Sequence, residues 1–244
     1  VYSGDEGRRQ LQLGPARAID VSEPGTAIFE RIRAGNGTFT TAPAAANTGS
    51  GVVSPGSVVD RALLTASTYR LQFNVTGTAT TYDVLDVTNG TTVSTGNAFV
   101  ENGAITVAGM QVTVSGAPAN GDAFTLAPSG AQGVFTTLAT AIAAIRGPSG
   151  TAAERAAIAQ GVATGLANID QAHDKLLAVR TSLGARLRET EALGELQQDL
   201  ALQYTSRLSD LRDVDYAQAA SDLARQQQGL QAAWSSYQRI TKLT

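Results

Sequence analysis

The 244-residue chain carries one histidine, His173, and no cysteine. A hydrolytic triad needs a general base beside its nucleophile, while disulfides, thiol catalysis and the usual structural zinc sites need cysteine. His173 falls on a helical row between Ile169 and Leu176, where a polar residue sets register. A pH-sensitive packing element is the functional reading of the same residue. Asp83 and Asp86 are close on one strand whose alternation sends them to opposite faces, and no third oxygen ligand follows at calcium-loop spacing. A glycoside-cleaving pair would have to come from Asp60, Asp83, Asp86, Glu101 and Asp122, in a region without a tryptophan to stack a sugar. Solvated strand ends are the simpler reading. Gly25 and Gly49-Ser50-Gly51 match neither a phosphate loop nor a dinucleotide fingerprint. Trp234 and Tyr237 would suit a membrane interface with a basic flank, but their neighbours are Gln, Ser and Ala, which favours packing on a partner helix.

The elements that must position these residues follow from composition and period. Apolar residues make up 43% of the chain and the formal net charge is −3. That is enough for real cores, without a basic patch to neutralise phosphates, which argues against nucleic-acid binding. No apolar run reaches the roughly 18 residues a bilayer span needs, and no charged-then-apolar leader opens the sequence. Val1-Tyr2-Ser3 reads as the middle of a strand, as though the chain began inside its parent protein.

The stretch from Thr151 to Leu208 dominates. It lacks proline, and as one helix it would be roughly 87 Å long at about 1.5 Å per residue. Leu166, Ile169, His173, Leu176, Leu183 and Leu187 step by threes and fours along it, interrupted by Arg180, as in a heptad seam. A final helix from about Asp213 to Leu243 repeats the pattern with Ala220, Leu223, Gln227, Leu230, Trp234 and Tyr237, and the acidic stretch Asp210 to Asp215 suits its start. Both rows want partners. If the long seam is buried, Leu176→Asp or Leu183→Asp should cost several kcal/mol, on the order of a buried unpaired charge.

The middle of the chain differs in kind. Residues 37–131 hold seven charged side chains, against 21 in residues 151–244. Tyr69, Leu71, Phe73 and Val75 alternate with Thr68, Arg70, Gln72 and Asn74, the period of a half-buried strand. Further strands are expected at Tyr82 to Val87, Ile105 to Val107, Met110 to Val114 and Phe124 to Leu126. Asn89-Gly90 is the strongest hairpin signal, with positive φ expected at both positions; Asn102-Gly103 and Asn120-Gly121 add weaker ones. Gly35 to Ser57 reads as an irregular approach. Ahead of it, Leu11, Leu13, Ile19 and Val21 suggest a hairpin broken at Gly14-Pro15, and Ala27 to Ile32 a short helical turn. Helical period returns between Gln132 and Ile145, with Val134, Leu138, Ile142 and Ile145 on one face.

The expected fold class is α+β. Residues 1–36 and 132–210 form two legs of a discontinuous long-helix bundle that includes a β-hairpin, residues 37–131 form an inserted all-β domain, and residues 211–244 a terminal assembly helix.

Several segments resemble the bacterial flagellin and hook-associated protein family. They are Val179-Arg180-Thr181-Ser182-Leu183-Gly184-Ala185-Arg186, Ser209-Asp210-Leu211-Arg212-Asp213-Val214-Asp215-Tyr216, and Leu223 to Trp234 with its run Gln226-Gln227-Gln228-Gly229. Toward the start, Tyr2-Ser3-Gly4-Asp5-Glu6-Gly7, Gln12-Leu13-Gly14, Ile28-Phe29, Gly35-Asn36-Gly37-Thr38-Phe39 and Gly121-Asp122-Ala123-Phe124 resemble its hook–filament junction branch. The likeness implies a flagellin-like helical domain, amino-terminal helices ahead of Val1 and an apolar tail beyond Thr244; the missing seam partner would be the amino-terminal helix. It further implies a non-enzymatic extracellular subunit without cofactors, exported through the flagellar type III channel. Such subunits would form a thin ring of about eleven, between the first hook-associated protein and flagellin. An export chaperone would hold the carboxy-terminal region while it lacks a partner. The rivals are a short flagellin that builds the filament itself, and an extracellular adhesin or glycan-binding module on a helical stalk.

Overall fold

The computed structural model describes residues 4, 6–14, 17–212 and 215–242; the strand expected at Val1-Tyr2-Ser3 and the break at Pro15 lie outside them. In chain order the elements are β1 (Gln10–Gly14), β2 (Arg17–Asp20), α1 (Gly25–Phe29), β3 (Ile32–Arg33), β4 (Phe39–Pro43), β5 (Val52–Val53) and β6 (Ser57–Val58). A 3-10 turn at Arg61–Leu63 leads to β7 (Tyr69–Thr76), β8 (Ala79–Asp86), β9 (Thr91–Ala98), β10 (Ala104–Val107), β11 (Met110–Ser115), β12 (Ala123–Pro128) and β13 (Ala131–Gln132). Three helices follow: α2 (Val134–Ile145), α3 (Ala152–Arg212) and α4 (Tyr216–Thr241). This is an α+β protein with long helices and a sheet-rich region. It divides into two units, Val1–Arg186 and Leu187–Thr244.

In the first unit the core lies between two antiparallel sheets. One has the order β4-β12-β7-β8-β9, and in the other β11 pairs with β10, β5 and β6. Phe39, Leu71, Phe73, Phe124 and Leu126 of the first sheet meet Val53, Val112 and Val114 of the second, all of them buried. Alternation works as expected in β7, where Tyr69, Leu71 and Phe73 point inward and Arg70 outward. Phe73 sits edge-on to both Phe99 and Phe124, at centroid distances of 5.2 and 5.6 Å, a favoured aromatic geometry.

Turn chemistry departs from the expectation. Asn89-Gly90 belongs to a four-residue connection, with Asp86 paired to Thr91, and only Gly90 of the two has positive φ. The two-residue turn with both central residues left-handed is Ala108-Gly109, at φ 46° and 77°, between paired Val107 and Met110. This is the twist that type I′ hairpins need. Gly109 is obligatory for a second reason. Its carbonyl accepts the N–H groups of Val59 and Asp60 at 2.9 and 3.2 Å, and a Cβ there would lie 2.0 Å from the Asp60 carbonyl oxygen. Gly35 to Ser57 is likewise less irregular than its composition suggests, since it contains β4, β5 and the start of β6. Pro43 is tolerated because β4 is an edge strand.

The helix α2 forms where its period indicates, but its row Leu138, Ile142 and Ile145 faces solvent. What it turns toward α3 is small. A Cβ on Gly161 would meet the Ala144 Cβ at 2.3 Å, and one on Gly165 the Ala141 Cβ at 2.9 Å, so the two glycines set the closeness of the helices. The start of α3 is fixed by a reciprocal capping box: Thr151 Oγ1 accepts from the Glu154 N–H at 3.1 Å, and Glu154 Oε2 from the Thr151 N–H at 2.8 Å. That backbone bond, with smaller help from the Thr151 hydroxyl, holds the Glu154 carboxyl below its usual range.

The far end of α3 passes through Asp210, so the acidic stretch is not one helix start. Asp215 alone caps α4, accepting from the N–H groups of Ala217 and Gln218 at 3.0 and 3.1 Å. In the second unit none of the described residues is buried.

The left-handed turn gives a stability test. Gly109→Ala should cost about 3 kcal/mol, because both backbone strain and the Asp60 clash oppose it. Ala108→Gly should raise stability by about 0.5 kcal/mol by removing a Cβ from left-handed backbone. Urea unfolding of the two variants against the parent checks both.

Candidate assembly surface

The five carboxylates of residues 37–131 are engaged one at a time with backbone. Asp122 is 2% exposed rather than solvated; it accepts from the N–H groups of Thr48, Gly49 and Ala119 at 2.8, 3.0 and 2.8 Å. Asp86, also buried, accepts from the Asn89 backbone and amide; the backbone bond is the main cause that keeps its carboxyl below the ordinary range. Asp83 takes the Gly96 N–H and the Asn74 amide, Glu101 the Gly116 N–H, and Asp60 the Ala62 N–H. Each closes a loop. His173 is exposed on α3, and among the described residues no cluster of three or more His, Cys, Asp or Glu could hold a metal ion.

The face that α3 does bury is not the apolar row. Its buried residues are Gln160, Gly165, Asn168 and Ala172. Gln160 Oε1 accepts from the Val53 N–H at 2.8 Å. Asn168 Oδ1 accepts from the Gly35 N–H at 2.6 Å while its amide donates to Gln132 Oε1 at 3.2 Å. Further along, Arg186 Nη2 meets Glu23 Oε1 at 2.6 Å and Nη1 donates to the Asp20 carbonyl at 3.3 Å. These polar and small residues carry no apolar signal, so a search for hydrophobic period passes over them. The Thr-x-x-Glu of the capping box and the four-residue spacing of Gly161 and Gly165 are the marks that were available.

The apolar row lies roughly a third of a turn around α3 from that face, at about 100° per residue. Leu166, Ile169, His173, Leu176 and Leu183 are all exposed within the first unit, Leu176 by 43% and Leu183 by 51%. Leu187 in the second unit is exposed as well, and so are Leu223, Leu230, Trp234 and Tyr237 on α4, Trp234 by 66%. Phe135, Leu138, Ile142 and Ile145 add a parallel exposed row on α2. Exposed apolar rows of this kind are candidate interaction sites, each within its own unit.

Exposure also revises the cost expected for the seam variants. In the isolated chain Leu176→Asp or Leu183→Asp buries no charge and should change stability by less than about 1 kcal/mol. Asn168→Ala strands the buried Gly35 N–H and should cost about 2 kcal/mol. Thermal melts that rank Leu176→Asp as the more damaging change would overturn this assignment of the two faces.

Comparison with known proteins gives the surface a setting. Residues 43–128 match the family described as flagellar hook-associated protein 1, D2-like domain. The flagellar hook-associated protein 3 of Escherichia coli is 33% identical over 105 residues, which are 43% of this chain and 33% of that protein. The chain thus spans about a third of the length of this curated relative. Among solved structures, the flagellar junction protein FlgL of Legionella pneumophila superposes with a TM-score of 0.77 at 28% identity, over 84% of this chain and 66% of that one. FlgL of Xanthomonas campestris does so with a TM-score of 0.76 at 31% identity, over 86% and 67%. Sheet-rich region, long helices and sequence agree, and the chain belongs to the family of flagellar hook-associated protein 3, FlgL.

Proposed function

We propose that this protein is a structural subunit of the bacterial flagellum, outside the cell, at the junction between the hook and the flagellin filament. The observation that carries the reading is the pair of exposed apolar rows, one on α3 and one on α4, in a chain of the FlgL family. Such rows are satisfied by neighbouring helices, not by a substrate. The Legionella relative is a junction protein by name. On this reading residues 37–131 act as an inserted β-domain, 1–36 and 132–210 as the two legs of the helical domain, and 211–244 as the terminal assembly helix. Leu166, Ile169, His173, Leu176, Leu183, Leu187, Leu223, Leu230, Trp234 and Tyr237 make the helix contacts.

The proposed partners are the first hook-associated protein on one side, flagellin on the other, and further copies of the same chain in a ring of about eleven. Export runs through the flagellar type III channel, with a chaperone covering the carboxy-terminal helix until assembly orders it. The role is non-catalytic. Burial of Tyr69, Phe73 and Phe124 in the core supports this over a glycan-binding module, which needs aromatic faces open to solvent.

Deletion of the gene is the direct test. Hooks without filaments, with monomeric flagellin shed into the medium, are the expected outcome. Absence of flagellin from both cells and medium would make the protein the filament subunit, and intact filaments would refute the junction role. A complementing copy carrying Leu176→Asp or Trp234→Ala should be exported at parental levels yet leave most cells without filaments.

A further inference from the structure

We propose that Arg8, Asp20, Glu23 and Arg186 form an electrostatic latch, tuned by ionic strength, that holds the β1–β2 hairpin on α3 and lets it detach while the rest of the first unit stays folded. The inference is independent of the junction reading.

The hairpin is a separate two-stranded sheet, since β1 and β2 pair only with each other. A lone hairpin is marginal in water, so its order depends on what docks it. Apolar docking is thin: Ile19 is its one buried described residue, while Leu11 and the adjoining Val21 are exposed. Ionic docking is dense. Arg186, on α3, reaches Glu23 at 2.6 Å and the Asp20 carbonyl at 3.3 Å. Arg8 bridges both carboxylates, Asp20 at 3.2 Å and Glu23 at 3.1 Å. The Gln10 amide adds a bond to Asp20 at 2.8 Å.

Signs alternate through the four groups, and Glu23 is shared by an arginine of the hairpin base and one of the long helix. Side-chain exposures between 16% and 47% leave the network in contact with electrolyte, and added salt weakens such pairs as the screening length falls from about 30 Å at 0.01 M to about 3 Å at 1 M. The β-sandwich has no comparable dependence, because its hold is the buried aromatic and aliphatic core. One unit therefore contains two kinds of attachment with different responses to electrolyte.

Amide hydrogen exchange on the full chain tests the latch. Between about 20 mM and 0.5 M NaCl the exchange of the hairpin amides, Val21 included, should rise about tenfold while those of β7 and β12 stay constant. Arg186→Gln should give the fast hairpin exchange already at low salt and abolish its salt dependence, whereas Arg180→Gln, on the same helix outside the network, should behave as the parent. Hairpin exchange that ignores salt in the parent would overturn the proposal, as would parental protection in Arg186→Gln. Loss of protection in β7 and β12 together with the hairpin in that variant would also overturn it, because the hairpin would then unfold only with the whole unit.

Discussion

Two side-chain amides on one helix, Gln160 and Asn168, fix where the sheet-rich region stands on α3. They lie eight residues apart, close enough in angle to share a face. Their oxygens accept backbone N–H groups 107 and 133 residues away in sequence, at Val53 and Gly35. Both partners are in short or irregular segments that cannot satisfy themselves with ladder bonds, and a buried unpaired N–H costs about 1–3 kcal/mol. The helix thus completes the sheet's hydrogen bonding. Around this fixed side, Gly161 and Gly165 admit α2 at close range, and Arg186 receives the hairpin base. The side of α3 used within the chain is polar and small for a physical reason: it must accept backbone and let helices approach, which bulky apolar residues would prevent.

That division leaves the leucine row without an intramolecular role among the described residues, and the sheet-rich region makes equally local use of its acidic side chains. Its few carboxylates stand where a loop has N–H groups to spare, as Asp122 shows with three. A carboxylate oxygen that accepts several backbone donors fixes the loop that supplies them. With seven charges in residues 37–131, little remains for electrostatic work at a surface.

Local periodicity revealed much of this fold and stopped where contacts become distant. The β7 alternation, the helix at Val134–Ile145 and the length of α3 are legible because each rests on neighbours within a few residues. Three features were not. The Asn89-Gly90 pair has the residues of a tight turn, yet Asp86 captures the Asn89 N–H and draws the connection out to four residues, while Ala108 takes a left-handed conformation because β10 and β11 require it. The segment around β5 gains its order from distant partners, β11 and Gln160, far along the chain. The docking face of α3 is invisible to hydropathy, because its residues are amides and glycines. The heptad row is visible in the sequence, but its exposure is not, because that depends on which face of α3 the distant amide contacts occupy.

The second unit carries the consequence furthest. A helix in water is marginal unless an amphipathic face is covered by packing, and α4 runs 26 residues without one buried described side chain. Its Asp215 cap and scattered ion pairs such as Arg225–Asp222 contribute little, on the order of 1 kcal/mol each. Covering the exposed leucines, Trp234, Tyr237 and Ile240 would contribute about 1.5–3 kcal/mol for each large side chain fully removed from water. The single chain therefore supplies little of the packing that would stabilise this region. The first unit differs, because its sandwich and the Gln160 and Asn168 clamp satisfy their apolar and polar groups within the single chain.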